Sequence, residues 1–438
     1  MDYDIIIAGG GMIGTSLGIA LAPLNLRVAV VEAVARGAAQ QPSFDDRSTA
    51  LSRSSQRTFE AMGLWPEIVA AATPIRSIHV SDKGRFGFSH IDADEQNVEA
   101  LGYVVINRVL GEVLQSSFAR VEGLDLVCPA TIRDVSVSGE AITAGIDAPD
   151  GPRSLTCRLL VAADGANSAV REMIGISAVR VDYGQCAVVG NVLPERPPAN
   201  RAYERFTRDG PIAMLPVADD RAAFVWIAPP DRAAELVDLP DAAFADRLQD
   251  IFGYRLGRFS KVGKRAAYPL ALTKANGLVA RRSVVVGNAA HGLHPVAAQG
   301  FNLGMRDVAA LCDCIYDAQT EERTTNGSAR VEPPDPGSVG PRDSTSVGPP
   351  DPGSAVILDN YSKWRYRDQR NVVRFTDGIV RLFGDQRRPV KFLRNVGMLA
   401  FDLVPGVRKT FAKHTMGLAG RLPRLSRGVP LQQNTGRD

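Results

Sequence analysis

The chain has 438 residues, of which 45% are hydrophobic, 23% charged, 41 Gly and 28 Pro; this balance excludes collagen-like, coiled-coil and wholly disordered classes and leaves room for two domains. A net charge of +3, from 51 basic and 48 acidic residues, provides no overall field to attract nucleic acid. The distribution is uneven, because residues 361–438 hold 17 Lys and Arg against five Asp, a local net of +12.

Residues 5–24, IIIAGGGMIGTSLGIALAPL, carry no charge and raise the question of a membrane span or signal peptide. The opening Met1-Asp2-Tyr3-Asp4 lacks the basic leader a signal peptide needs, and three adjacent glycines would weaken a lone membrane helix. A buried strand over 4–8, a tight turn and a buried helix carrying Leu17, Leu21 and Leu24 explain the same apolarity. The turn, Gly9-Gly10-Gly11-Met12-Ile13-Gly14, fits G-x-G-x-x-G. Gly9 permits the turn, Gly11 lets a diphosphate approach the backbone, and Gly14 lets helix and strand pack closely. A second strand over 26–31 ends in Glu32-Ala33, which places an acid 18 residues past Gly14, where it can accept from an adenosine ribose. Gly9, Gly11, Met12, Ile13, Gly14, Glu32 and Ala33 are therefore expected to bind a dinucleotide. Nicotinamide and flavin dinucleotides share this fingerprint, so the pattern leaves that choice open.

Five cysteines, at 128, 157, 186, 312 and 314, are too few and scattered for a disulfide framework or a zinc site, and a reducing cytoplasm is the natural expectation. The segment RLLVAADGANSAVRE, from 158, reads as an apolar strand ending in Asp164-Gly165, with Ser168 and Arg171 following at helical spacing. Asp164 could equally cap that helix. Residues 181–270 show short alternating stretches, such as 213–216 and 221–227, that predict an antiparallel sheet. Tyr203, Phe206, Met214, Pro216 and Trp226 are candidate lining residues there, although such types are also ordinary strand core.

From 283, SVVVGNAAHGLHPVAAQGFNLGMRD reads as another apolar strand running into a small-residue turn. Its His291 and His294 lack an accompanying cysteine or carboxylate set, and no metal is expected. Gln299-Gly300-Phe301-Asn302 should precede a helix carrying Leu303, Ala309, Ala310 and Leu311, whose free N–H groups would face whatever lies in front. Residues 320–355 repeat PPDPGS at 333–338 and 349–354 and are expected to form a disordered Pro/Gly/Ser-rich loop. Beyond it, Val372, Phe375, Ile379, Leu382 and Phe383 form a helical apolar stripe, and residues 392–417 mix Phe, Leu and Met with Lys and Arg.

The segments from 158 and 283, together with DDRSTALSRSSQRTFEAMGLW at 45–65, LGYVVINRVLGEVL at 101–114 and YSKWRYRDQRNVVRFTDGIVRLF at 361–383, resemble flavin monooxygenases of the p-hydroxybenzoate hydroxylase fold. The likeness runs from Asp4 to Gly417 outside 320–355 and is strongest to the aromatic-ring hydroxylases of ubiquinone biosynthesis. The pairing of GNAAHGLHP with GFNLGMRD narrows it to the branch acting on polyprenylated methoxyphenols. This resemblance implies an α/β fold with a Rossmann-like FAD-binding domain (1–75, 101–180 and 271–319). It also implies an interleaved antiparallel-sheet substrate domain (76–100 and 181–270) and a basic C-terminal helical region (356–438).

The same resemblance implies FAD as cofactor, NADH or NADPH as a transient reductant, dioxygen as co-substrate, and transfer of oxygen from a flavin C4a-hydroperoxide to the ring of a polyprenyl phenol. It assigns Arg47 and Arg108 to FAD, Asp164, Gly165 and Asn288 to the ribityl and phosphate region, and Pro295, Gly300, Phe301 and Asn302 to the flavin ring. Such a helix start would stabilise an anionic reduced ring. Asn288 departs from the pattern, since many relatives of that type carry Asp there; an amide can still bond a ribityl hydroxyl. The expected partner is the polyprenyl phenol, with no nucleic acid; the basic C-terminal region leaves two readings open, a pair of helices packed on the FAD domain or a surface for other ubiquinone-biosynthesis proteins or an anionic membrane touched peripherally from the cytoplasm. The alternatives are a hydroxylase of a soluble phenol, a prenyl-chain reductase of the same fold, and a non-catalytic prenyl-lipid-binding flavoprotein.

Overall fold

Strands that are apolar on both faces can only be central, and Ile5–Ala8, buried throughout, is one. A computed structural model describes residues 1–35, 47–84, 88–295, 298–328, 350–384, 387 and 405–432, with side chains described except at 322–328, 379–384 and 405. In it Ile5–Ala8 lies between Leu159–Ala162 and Val28–Val31, parallel to both, with Ile5 beside Leu159 and Val28. Ser283–Val285 and Leu124–Val127 extend this sheet in parallel, and Val279–Ala280 closes one edge antiparallel, giving six strands. The helix Met12–Leu21 follows the first strand and is flanked by the helices Asn107–Ala119 and Gln299–Ser328. An antiparallel three-stranded sheet, Thr131–Ser138, Ala141–Ala148 and Gly151–Cys157, leads back to the central strands.

The second large sheet is mostly antiparallel and is assembled from distant stretches. Its order is His291–Gly292, Ala266–Ala275, Ala178–Pro194, Ala222–Ala228, Ile212–Pro216, Arg201–Phe206, Ser77–Asp82 and Phe88–Asp92, with Phe259–Ser260 paired to Ala178–Pro194. Two helices absent from the sequence reading, Pro230–Asp238 and Asp241–Phe252, cover its outer face. Phe244, Leu248 and Phe252, spaced four apart, form the buried stripe of the second. A small sheet with Gly102–Ile106 between Ser48–Ser52 and Thr73–Ile75 sits between the two large ones.

Two boundaries differ from expectation. The helix Gln299–Ser328 continues through 320–328, where the expected loop was to begin, and the next helix is Ala355–Gly384; residues 329–349 lie outside the described residues. Gln299-Gly300-Phe301-Asn302 is the first turn of the long helix rather than a lead into it. Residues 388–404 lie outside the described residues, and Pro405–Thr415 is a further helix. Among the described residues no helix is long and apolar enough to cross a membrane.

The C-terminal helix is fastened by a buried polar cluster. Asp307 accepts bonds from Arg365 Nε (2.7 Å) and Gln369 Nε2 (3.0 Å) on one oxygen, and from the Gly287 N–H (3.0 Å) and His291 Nε2 (2.7 Å) on the other. Burial alone would raise the Asp307 carboxyl, but the Arg365 guanidinium and His291 outweigh it and hold it well below the usual carboxylate range. Asp368 joins Arg365 to Arg306 in the same cluster. Both Asp307 oxygens are thereby engaged twice, the condition under which a buried carboxylate is tolerated.

Candidate active site

The glycine turn is dictated by space. Gly9 has φ +102°, a region that L side chains avoid, and a Cβ there would lie 2.6 Å from the Ala163 carbonyl oxygen. At Gly14 a Cβ would stand 1.9 Å from the Gly9 oxygen, so no larger residue fits where helix meets strand. The helix that follows has Gly11 as N-cap, with no side-chain cap and no acid in its first turn, and Met12 and Ile13 are only partly buried. Its first amides are thus suited to an anionic group.

Glu32 stands at the end of the second strand as expected, but its carboxylate already accepts from Gly10 N–H (2.6 Å) and Val34 N–H (2.8 Å). Those bonds fix the acid beside the turn and leave lone pairs for a ribose hydroxyl. Gly10, Glu32, Val34, Phe118 and Cys128 border a small cleft there, and Ala33 lies in the bend between Glu32 and Val34.

Further along, an apolar cavity of about 1010 Å³ opens between the nucleotide-fold half and the second sheet. Arg47, Ser52, Ala166, Asn288, Pro295, Gly300, Phe301 and Asn302 line its nucleotide side. Gly300 presents open space where a Cβ would be, so a flat group can approach the backbone. The Asn302 amide is fully engaged, accepting from Ser52 N–H and Ser55 Oγ and donating to Ala50 and Ala298 carbonyls, so it locks the helix start to the strand Ser48–Ser52. Arg47 lays its guanidinium 4.4 Å from the Tyr268 ring centroid.

Asp164 accepts from Ser168 Oγ and from Val170 N–H (3.1 Å), which fixes it in its segment and leaves lone pairs for a further donor; the adjoining Gly165 has φ +90°. Ser168 is the N-cap of the helix Ala169–Met173, so the cap expected at Asp164 falls there instead. Arg108 pairs with Glu112 at 2.9 Å on the exposed side of its helix and does not line the cavity. Among the substrate candidates, Met214, Pro216 and Trp226 lie off the cavity; Met214 and Trp226 pack in the outer core with Phe244 and Leu248. Tyr203 borders the cavity, yet its ring packs on Phe252 (5.5 Å) and His79 (5.8 Å), while Phe206 does face inward.

The residues that do form the roof are Ile78, Val80, Ala202, Glu204, Ala213, Leu215, Val225 and Ile227. They follow from strand parity. Glu204 pairs with Val80 on one side and Ala213 on the other, and Ala213 pairs with Val225, so this row shares one face. Sequence reading passed over Glu204; its signal was a lone acid alternating with Ala202 and Phe206. His291 is held by Asp307, and His294 sits edge-on to Tyr183 at 5.1 Å, its imidazole pushed down to about 4 by burial.

A family model described as an FAD binding domain matches residues 2–327. The chain is 34% identical to ubiquinone hydroxylase UbiL of Rhodospirillum rubrum, over 98% of this chain and 93% of that one. It is 29% identical to 3-demethoxyubiquinol 3-hydroxylase of Escherichia coli, over 95% and 98% of the two chains. The solved structure of p-nitrophenol 4-monooxygenase from Pseudomonas putida superimposes with a TM-score of 0.72 at 16% identity, covering 95% of this chain and 98% of that one. PqsL of Pseudomonas aeruginosa, in complex with 2-aminobenzoylacetate, gives 0.70 at 21% identity, covering 91% and 99%. These two likenesses show a shared fold.

Proposed function

The chain belongs to the FAD-binding-domain family, and from that premise we propose that it is an FAD-dependent monooxygenase hydroxylating the ring of a polyprenyl phenol in ubiquinone biosynthesis. The observation that carries the reading is the cavity, whose volume of about 1010 Å³ opens onto Asn288, Pro295 and Gly300 and offers mostly apolar walls. Ligand sites commonly hold roughly 300–1,000 Å³, so an aromatic ring and the start of an apolar tail can share this one with the reactive end of a cofactor.

The residues present fit FAD. The turn at Gly9 and Gly14 admits no side chain, the helix start beyond it is uncapped, and Gly300 is open on the cavity side. When bound, FAD supplies the reduction by a nicotinamide donor and the activation of dioxygen. The amides of Gly11, Met12 and Ile13 hold the diphosphate in this assignment, Glu32 the ribose, and Asn288 the ribityl chain. Arg47 contributes a cation on the cavity wall. The helix start at Gln299 and Gly300 favours negative charge on the ring edge before it. Ile78, Leu215, Val225 and Ile227 hold the tail and exclude water from the reacting ring.

A prenyl tail comes from a membrane, and the helix Pro405–Thr415 is where we place the contact. It turns Phe411 and Thr415 to the cavity and exposes Val407, Lys409 and Lys413. The test is turnover of a farnesylated phenol by purified holoprotein with NAD(P)H and isotopically labelled dioxygen. One labelled oxygen on the ring is expected. Saturated prenyl double bonds would move the reading to a reductase, and absence of any turnover to a non-catalytic flavoprotein.

A further inference from the structure

Glu204 occupies an unusual place for an acid. On the strand Arg201–Phe206 it shares the inward face with Ala202 and Phe206, and its cross-strand neighbours are Val80 and Ala213. All five line the cavity, and Glu204 is the one carboxylate among the described lining residues. Among the described residues no hydrogen bond or ion pair meets it, and burial alone pushes its carboxyl up to about 7. Other buried acids are answered: Asp307 by Arg365 and His291, Asp313 by Arg424. A carboxylate without a partner on an apolar wall is costly. A ligand that brings a donor to it would remove that cost.

Resting on the reading of this cavity as a phenol site, we propose that Glu204 is a catalytic residue that accepts the hydrogen bond, and then the proton, of the substrate's phenolic hydroxyl. The phenol O–H bond breaks and a carboxyl O–H bond forms. The electron pair stays on the phenolic oxygen and enriches the ring positions ortho and para to it, which is what an electrophilic oxygen transfer requires. Once the ring is oxygenated, the carboxyl returns its proton to that oxygen as the ring gives up its own C–H proton to water and regains aromaticity. Glu204 is thereby left ionised for the next cycle.

The charges around Glu204 do not override this. Arg47 lies on the nucleotide-side wall, and Asp82 stands opposite Phe206 on the adjoining strand. His79, Tyr203 and Arg205 have the opposite strand parity, Ile212–Pro216 and Ala222–Ala228 bring no ionisable residue, and Arg306 on the long helix is paired with Asp368. On the helix Pro405–Thr415, Arg408 pairs with Glu95, while Lys409, Lys413 and His414 are exposed. An acid tuned by burial to near neutrality is a better proton acceptor than an exposed one, the usual tuning for general-base work.

The test uses holoprotein turning over 2-farnesylphenol with NAD(P)H and dioxygen. The kcat for ring oxygenation should rise as pH climbs through about 7 in the native protein, as the carboxylate that takes the proton forms. In Glu204→Gln this rise should be absent over the same range while flavin absorbance per chain is unchanged. The kcat for ring oxygenation should fall about 10²-fold or more with a much smaller change in KM, as expected for loss of a general base. Glu204→Asp should recover part of both signals. A Gln variant that turns over as fast as the native protein with the same pH profile overturns the role of Glu204 alone. A native holoprotein that binds no phenol overturns the phenol-site reading, and this proposal with it.

Discussion

On the outer face of the second sheet, Tyr203, Met214, Phe224 and Trp226 close against Phe244, Leu248 and Phe252, and little space is left. On the inner face of the same strands, Ala202, Ala213, Leu215, Val225 and Ile227 stand over a cavity of about 1010 Å³. The backbone is shared, and the two faces differ in side-chain size and in the two helices that cover the outer one. Large residues on one parity form a core; small and branched residues on the other leave room for a ligand. Stability therefore resides in what the outer residues fill, and function in what the inner residues leave empty.

The largest effect that can break this comparison is on the outer face. Trp226→Ala should cost about 3–5 kcal/mol, read as a fall in denaturation midpoint, while the folded fraction keeps its flavin. An unmoved midpoint would mean that the outer face is not the core it looks like. On the inner face, Ala213→Phe should change stability by no more than about 1 kcal/mol, because the ring enters empty volume. The same variant should raise KM for long-tailed phenols about tenfold, the equivalent of roughly two buried methylenes, and leave a tail-less phenol unaffected.

The smallest effect sharpens the contrast by pH. The Glu204 carboxyl is raised in the folded protein from an ordinary value of 4.5 to about 7. A group raised on folding favours the native state below its unfolded value, and that advantage is lost as pH climbs through the folded one. Glu204→Gln should then match the native protein in thermal midpoint below about pH 4.5, exceed it increasingly up to about pH 7, and hold a constant margin above that. An inner-face residue that stabilises when removed, beside outer-face residues that destabilise, would be the stability–function trade in one sheet.

The two halves of the molecule differ in how far sequence alone exposes them. The strand, glycine turn and helix of residues 4–21 are legible because their chemistry is carried by residue type and short spacing: Gly9 and Gly14 are required by contacts within the same βα unit. The roof is not legible that way. Whether Met214 or its neighbours Ala213 and Leu215 face the ligand is a question of parity, fixed by pairing with Tyr203, Glu204 and Phe224 from other strands. Choosing by residue type found Phe206 but also selected Met214 and Trp226, which packing had already claimed. The helix Asp241–Phe252 was within reach, because Phe244, Leu248 and Phe252 repeat at helical spacing.

The pairing of Thr273 with Gly292 and Lys274 with His291 joins the roof to the segment that also offers Asn288 and Pro295 to the cavity. His291 is in turn anchored to Asp307, which holds the Gly287 amide. The hinge between the two halves is consequently a stitched seam. A tilt of the roof drags the floor turn with it, and hydrogen exchange at Thr273 should slow when the floor is loaded with flavin as well as when the roof is loaded with phenol.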